Sequence, residues 1–373
     1  MTAQLFAPIA LGGLDLPNRI AVAPMCQYSA DDGSATDWHL QHWMSLAMSG
    51  AGMVTIEATA VTRQGRITHG CLGLYSDDNE AAAHRTLAAA RRVAQPGTRF
   101  GIQLAHAGRK ASTNRPWQGG GPLVHHEDPW QTVGPSAAPY AHDWHVPQAL
   151  DDAGIEHTIA AFATAARRAV RAGFDFVELH LAHGYLVHQF LSPLANKRTD
   201  QWGGPLENRM RLALAIAAAV KAAVPAGFPV GARMSVTDWV DGGFNPDEAV
   251  VVARALKQAG IVYVCCSSGG VDPGQKVPTG PSYQVHLAER IRRDAGIPTR
   301  AVGLIDDPHV AEQILHDGKA DLVALARAIL ADPRWPWRAA AALGAHMHHV
   351  PQYQRSVFLI EKWAKPPARS SAA

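Results

Sequence analysis

The chain has 373 residues, 47% of them hydrophobic, and its 34 Lys and Arg nearly balance 32 Asp and Glu, for a formal net charge of +2. That is ample to bury a core, and one β/α barrel of about 250 residues carrying insertions competes well with two domains. No dense basic run interleaved with aromatics speaks for nucleic acid, and no uncharged apolar run of about 18 residues speaks for a membrane span.

Residues 1–18 lack the charged start and long apolar run of a secretory signal. The four cysteines, Cys26, Cys71, Cys265 and Cys266, form no C-x-x-C pair. Both features predict a reducing, cytoplasmic setting without a disulfide framework. Cys265 and Cys266 are adjacent on an expected strand, so their side chains should face opposite sides.

Along the chain, short apolar or β-branched runs alternate with longer helical patterns, the order of parallel strands with crossover helices. Strands are predicted at 19–23, 53–57, 100–104, 174–179, 229–234, 262–266, 299–302 and 321–325. Helices are predicted at 40–48, 81–93, 158–172, 207–224, 247–259, 283–294 and 308–317. Several strands are apolar almost throughout, as strands buried on both faces are. Gly173 and Gly260 stand where helix C-caps belong.

Eight strands point to a closed (β/α)8 TIM barrel, a single domain over residues 1–343. A doubly wound open sheet would carry a Gly-rich turn after its first strand. Here that place holds Pro24-Met25-Cys26-Gln27-Tyr28. Residues 108–152 read as a long insertion after the third strand, on the catalytic face, and 344–373 as a C-terminal tail. Trp335 and Trp337 read as core or interface packing.

Chemistry-bearing residues recur where strands end: Cys26 and Tyr28, Ala58, Gln103 and His106, then His180, His183 and Tyr185, then Arg233, Ser267-Ser268-Gly269-Gly270, Gly303 and Arg327. In a barrel they converge on one mouth, and loops after strands seven and eight often hold a phosphate. Arg327 could add a charge-assisted contact. His180 and His183 could instead bind zinc with Glu178 or His188, but no second convincing ligand cluster appears, and no metal site is expected.

The motifs then carry a resemblance. Leu16-Pro17-Asn18-Arg19-Ile20 with Ala23-Pro24-Met25-Cys26-Gln27-Tyr28-Ser29, Gly101-Ile102-Gln103-Leu104-Ala105-His106-Ala107-Gly108-Arg109-Lys110, and Glu178-Leu179-His180-Leu181-Ala182-His183-Gly184-Tyr185-Leu186 are similar to the old yellow enzyme family. Phe190-Leu191-Ser192-Pro193, Asn196-Lys197-Arg198-Thr199-Asp200 and Glu207-Asn208-Arg209 continue the match, which runs from about Leu5 to about Arg355. Cys26 and the paired histidines resemble the thermophilic-like subclass, which includes the xenobiotic reductases.

The resemblance implies noncovalent FMN in the barrel mouth. Ala23, Pro24, Met25 and Cys26 would line it, Ala58 and Gln103 would contact the isoalloxazine ring, and Arg233 would face its N1–C2 carbonyl edge. Gly303, Ala326 and Arg327 would hold the phosphate; Ala326 departs from the family's usual Gly. His180 and His183 would bind the carbonyl oxygen of an α,β-unsaturated substrate, with Tyr28 as a further contact. Flavin N5 would deliver hydride to Cβ, and Tyr185 a proton to Cα. NADPH or NADH would first reduce the flavin in the same pocket, in ping-pong turnover. Arg355 would reach into a neighbouring subunit's site, which makes a homodimer or dimer-based homotetramer the expected assembly.

His106, Arg109 and Lys110 could help bind the flavin or the nicotinamide phosphate, or could be loop charges in water. The rival function is a flavin-free barrel lyase or isomerase, which needs a strand-end Lys or carboxylate base; Glu57 is a thin candidate. A flavin-binding redox partner without catalysis would not need the paired histidines.

Overall fold

Alternate residues of a strand face opposite sides, so a strand apolar on both faces needs a partner layer on each. In the computed structural model, which describes residues 3–364, a barrel supplies both layers. Its strands are β1 (Ile20–Val22), β2 (Met53–Ala60), β3 (Arg99–Ala105), β4 (Phe176–Leu181), β5 (Val230–Ser235), β6 (Val264–Ser267), β7 (Thr299–Ala301) and β8 (Leu322–Leu325). They form a closed barrel, sealed where Ala21 of β1 pairs in parallel with Ala324 of β8. All eight predicted strands are present. The crossover helices are α1 (Asp37–Ala47), α2 (Asp77–Val93), α3 (Asp152–Ala172), α4 (Arg211–Ala223), α5 (Pro246–Gln258), α6 (Val285–Ala295), α7 (Pro308–His316) and α8 (Trp335–Ala342).

The apolar side chains fall into two clusters. One joins the outer strand faces to the helices and includes Val54, Leu104, Leu179 and Cys266. The other fills the barrel and includes Ala21, Met53, Phe176, Tyr263 and Cys265. Adjacent Cys265 and Cys266 thus face opposite ways, as strand geometry requires. Gly101 and Gly231 leave room inside for the rings of Phe176 and Tyr263: a Cβ would come within 2.1 Å and 2.2 Å of those rings. Trp335 and Trp337 are buried.

Three features depart from the sequence reading. A hairpin of Ile9–Leu11 and Leu14–Leu16 places Leu11, Leu14 and Leu16 in the barrel cluster. The helix expected over 207–224 is two pieces, Leu206–Arg209 and α4, which meet at Met210. In the tail, a 3-10 turn at Pro351–Ser356 leads into helix Val357–Ala364, which packs on α8; residues 365–373 of the predicted tail lie outside the described residues. Among the described residues, no helix is long and apolar enough to cross a membrane.

Candidate active site

The strand ends place the predicted residues around one mouth. Ala23 and Pro24 follow β1 and are buried; Met25, Cys26 and Tyr28 are half-buried. The 24–28 segment is fixed from below, since Gln27 N–H donates to the buried Glu57 carboxylate of β2 at 2.8 Å. His39 of α1 lies 3.4 Å from the other Glu57 oxygen. Glu57 is therefore spent on structure and does not stand in the mouth as a base. Burial, with Cys71 and Glu57 nearby, pushes the Cys26 thiol well up, so it stays protonated.

Tyr28 adopts a left-handed backbone, φ 52°. The long insertion covers it: Arg115 Nε donates to the Tyr28 carbonyl at 2.9 Å, and Trp117 packs edge-on against its ring at 5.8 Å. The insertion therefore lies over the same end of the barrel as Tyr28.

Gln103 of β3 is buried, and its Nε2 donates to Glu178 Oε1 at 2.8 Å. Tyr263 O–H donates to Glu178 Oε2 at 2.7 Å, and Arg300 pairs with the same carboxylate inside the barrel. The sequence reading missed this network, since the neighbours of Arg300 on its short strand, Thr299 and Ala301, give no sign of a buried carboxylate partner. Ala58 shares a small recess with Ala60, Ala107, Cys71 and Tyr185. Ala60 was not singled out, yet period-two geometry puts it on the face of Ala58.

His180, His183 and Tyr185 converge at the end of β4. The two imidazoles stand 5.1 Å apart at 87°, and Tyr185 is edge-on to His180 at 5.0 Å. Ala182 N–H donates to His180 Nδ1, so the proton of neutral His180 is on Nε2. His183 Nε2 is 2.7 Å from Ser267 Oγ. Burial and the Arg233 charge hold both histidines well below the usual range, so both are neutral. Burial raises the Tyr185 phenol well above its usual value.

Glu178 is engaged inside the barrel, and His188 faces Asp238 at 2.9 Å. Neither turns toward the histidine pair. His106 is buried, and its Nδ1 accepts from Gly108 N–H. Arg109 and Lys110 are not loop charges in water. Arg109 donates to the carbonyls of Ala138, Pro139 and Val271, and Lys110 to those of His183 and Gly270. Lys110 also lies 5.3 Å from the Tyr185 ring centroid. Lys110 thus reaches the mouth from beyond the end of β3.

Beside this cluster opens a cavity of about 440 Å³, lined among others by His183, Arg233, Ser267, Gly303, Ala326 and Arg327. Two features fit it to an anionic, hydrogen-bonding cofactor. Arg233 Nε is buried with no partner among the described residues, a costly state that a ligand acceptor relieves. Gly303 has φ 132°, and a Cβ there would meet Gln284 Nε2 at 3.0 Å and Tyr283 at 3.1 Å. Tyr283 and Gln284 also line the cavity and escaped the sequence reading, as they sit at a helix start rather than a strand end. Arg355 is exposed on the tail turn, remote in sequence from the cavity-lining residues.

Comparison with known proteins bears on this geometry. The NADH:flavin oxidoreductase / NADH oxidase family profile matches residues 4–345. An NADPH dehydrogenase of Geobacillus thermodenitrificans is 41% identical over 357 residues, 95% of this chain and 99% of that protein. The NADPH dehydrogenase of Bacillus subtilis is 38% identical over 358 residues, 95% of this chain and 99% of that protein. Morphinone reductase in complex with tetrahydroNAD superposes with a TM-score of 0.74 at 29% identity, covering 93% of both chains. A 2-naphthoyl-CoA reductase superposes with a TM-score of 0.82 at 26% identity, over 92% of this chain but only 53% of that one. With its closed barrel, neutral histidine pair and orphaned arginine, the chain belongs to this family, the old yellow enzymes, and is an FMN-dependent NADPH oxidoreductase.

Proposed function

We propose that the chain is an ene reductase that saturates activated C=C bonds of α,β-unsaturated carbonyl compounds, with cyclic enones, maleimides and nitroalkenes as substrate classes. NADPH or NADH would be the reductant, in two alternating half-reactions. The observation that carries this reading is the neutral His180–His183 pair with Tyr185 beside it, next to the cavity of Arg233.

Arg233 would face the pyrimidine edge of FMN, with Gln103 and Ala58 against the ring, and residues 23–26 along it. Gly303, Ala326 and Arg327 would hold the phosphate, where loops after β7 and β8 commonly do so. Bound FMN supplies the hydride that NAD(P)H provides and the C=C bond accepts.

The chain's own residues do the rest. Neutral imidazoles at His180 and His183 offer N–H donors to the substrate's carbonyl oxygen, which draws electron density from Cβ. Tyr28 adds a contact to that oxygen. Tyr185 keeps its proton at working pH and can deliver it to Cα. Arg355, exposed beside the exposed Tyr353 and Phe358, would enter a second copy's site in a homodimer or dimer-based homotetramer. Four free thiols suit a cytoplasmic setting.

The test is product analysis of 2-cyclohexenone with NADPH. Cyclohexanone is expected; the allylic alcohol, or no product from any activated alkene, would contradict the reading.

A further inference from the structure

In the turn that carries His183 and Tyr185, Tyr185 N–H donates to the Ala182 carbonyl at 3.2 Å, while His183 and Gly184 between them rely on side chains. His183 and Gly184 are both left-handed, at φ 61° and 71°. A Cβ on Gly184 would stand 2.0 Å from the Gly270 carbonyl, so the turn is pressed against the loop after β6. Side chains take every backbone polar group of the two residues. His183 N–H donates to Ser235 Oγ at 3.0 Å, and the His183 carbonyl accepts from Lys110 at 3.0 Å. Gly184 N–H donates to His188 Nδ1 at 2.8 Å, and the Gly184 carbonyl accepts from Gln189 at 2.7 Å.

Of these partners, His188 alone has an ambiguous role, because an imidazole nitrogen can donate or accept. To accept from Gly184, Nδ1 must carry a lone pair, and the ring proton must sit on Nε2. Nε2 lies 2.9 Å from Asp238 Oδ1, and both side chains are fully buried. The other oxygen, Oδ2, accepts from Ser192 O–H at 2.6 Å and from Phe244 N–H at 2.7 Å. The Gly184 contact and the carboxylate charge beside Nε2 together keep the ring proton on Nε2, although the ring N–H is not aimed in line at Oδ1.

We infer that Asp238 and His188 are positioning residues: Asp238 fixes the His188 tautomer, and His188 holds Gly184 N–H so that His183 and Tyr185 stand at the mouth. Neither touches the cavity. The inference rests on the proposed roles of His183 and Tyr185.

An amide at position 238 tests it. Its oxygen must serve Ser192 and Phe244, which leaves its NH2 facing His188. Nε2 then accepts, the ring proton moves to Nδ1, and two donors oppose each other at Gly184. In the holoenzyme, Asp238→Asn should slow enone-driven flavin reoxidation by roughly tenfold or more, as when a histidine loses its tautomer-fixing partner, with FMN content retained. His188→Asn puts an amide oxygen near the place of Nδ1 and needs no carboxylate to orient it. In that background, Asp238→Asn should cost only roughly threefold or less, a strong non-additivity. Equal losses in both backgrounds, or no loss in either, would overturn the inference. If Asp238→Asn does not fold, His188→Asn against His188→Leu decides: the Asn variant should be markedly faster, and equal rates would overturn it. Tyr185→Phe and His183→Ala serve as controls. If they leave reoxidation untouched, the reading of the site itself fails; if they slow it while the 238 and 188 variants do not, only this inference fails.

Discussion

Gln103 and Glu178 meet at 2.8 Å beneath the mouth, the amide donating to a carboxylate that also takes Tyr263 and Arg300. The barrel interior thus orients a residue expected against the cofactor. Arg300→Met would leave the Glu178 charge buried and uncompensated. It should destabilise the protein by about 3–5 kcal/mol in urea unfolding, and adding Glu178→Leu should recover most of that loss. Equal stability of the single and double variants would show that the pair carries no such coupling.

Arg233 offers a buried Nε with no partner among the described residues. Arg233→Ala should weaken FMN binding by roughly 10- to 100-fold, the worth of one or two charged hydrogen bonds. Flavin fluorescence titration reads it, and an unchanged affinity would place the flavin edge elsewhere.

Arg327 is exposed to the cavity. Arg327→Ala should lower affinity for FMN while leaving riboflavin, which lacks the phosphate, nearly unaffected. Parallel titrations with both flavins measure the contrast. An equal drop for both would mean that Arg327 does not meet the phosphate.

Acid should unfold the protein through the buried His106 and the partly buried His42. Burial lowers His106 and His42 to about 4. The unfolded chain then binds more protons than the folded one between roughly pH 6.5 and 4, so this stability is full above that window and is lost as pH falls through it. Each such group contributes up to about 1.4 kcal/mol per pH unit there. His106→Asn can still accept from Gly108 N–H and should flatten the fall in melting temperature between those pH values. An unchanged slope would show that His106 titrates normally.

The barrel was legible because each strand carries its own apolar run, and the polar residues stood at strand ends, where a barrel gathers them. Helix starts were harder. Ser76 caps α2 ahead of the polar turn of Asp77, Asp78 and Glu80, and Asp151 caps α3, whose first turn carries Gly154, a poor helix former, so the predicted starts fell late. The hairpin that enters the barrel cluster has strands of three residues each, too short for a pattern. The partners of Lys110, and Arg300 altogether, escaped for another reason: what a charge meets across the fold is a tertiary fact. Lys110 finds carbonyls beyond β4 and β6, and Arg300 finds a carboxylate three strands away. His188 was visible as a residue, but its partner Asp238 lies 50 positions on, past β5.

The most direct measurement of the central claim is an anaerobic visible spectrum of the FMN-loaded protein, taken after one equivalent of NADPH and again after 2-cyclohexenone. NADPH should bleach the flavin, and the enone should restore the yellow colour stoichiometrically. Protein that bleaches but stays colourless with the enone and other activated alkenes would contradict the ene reductase reading.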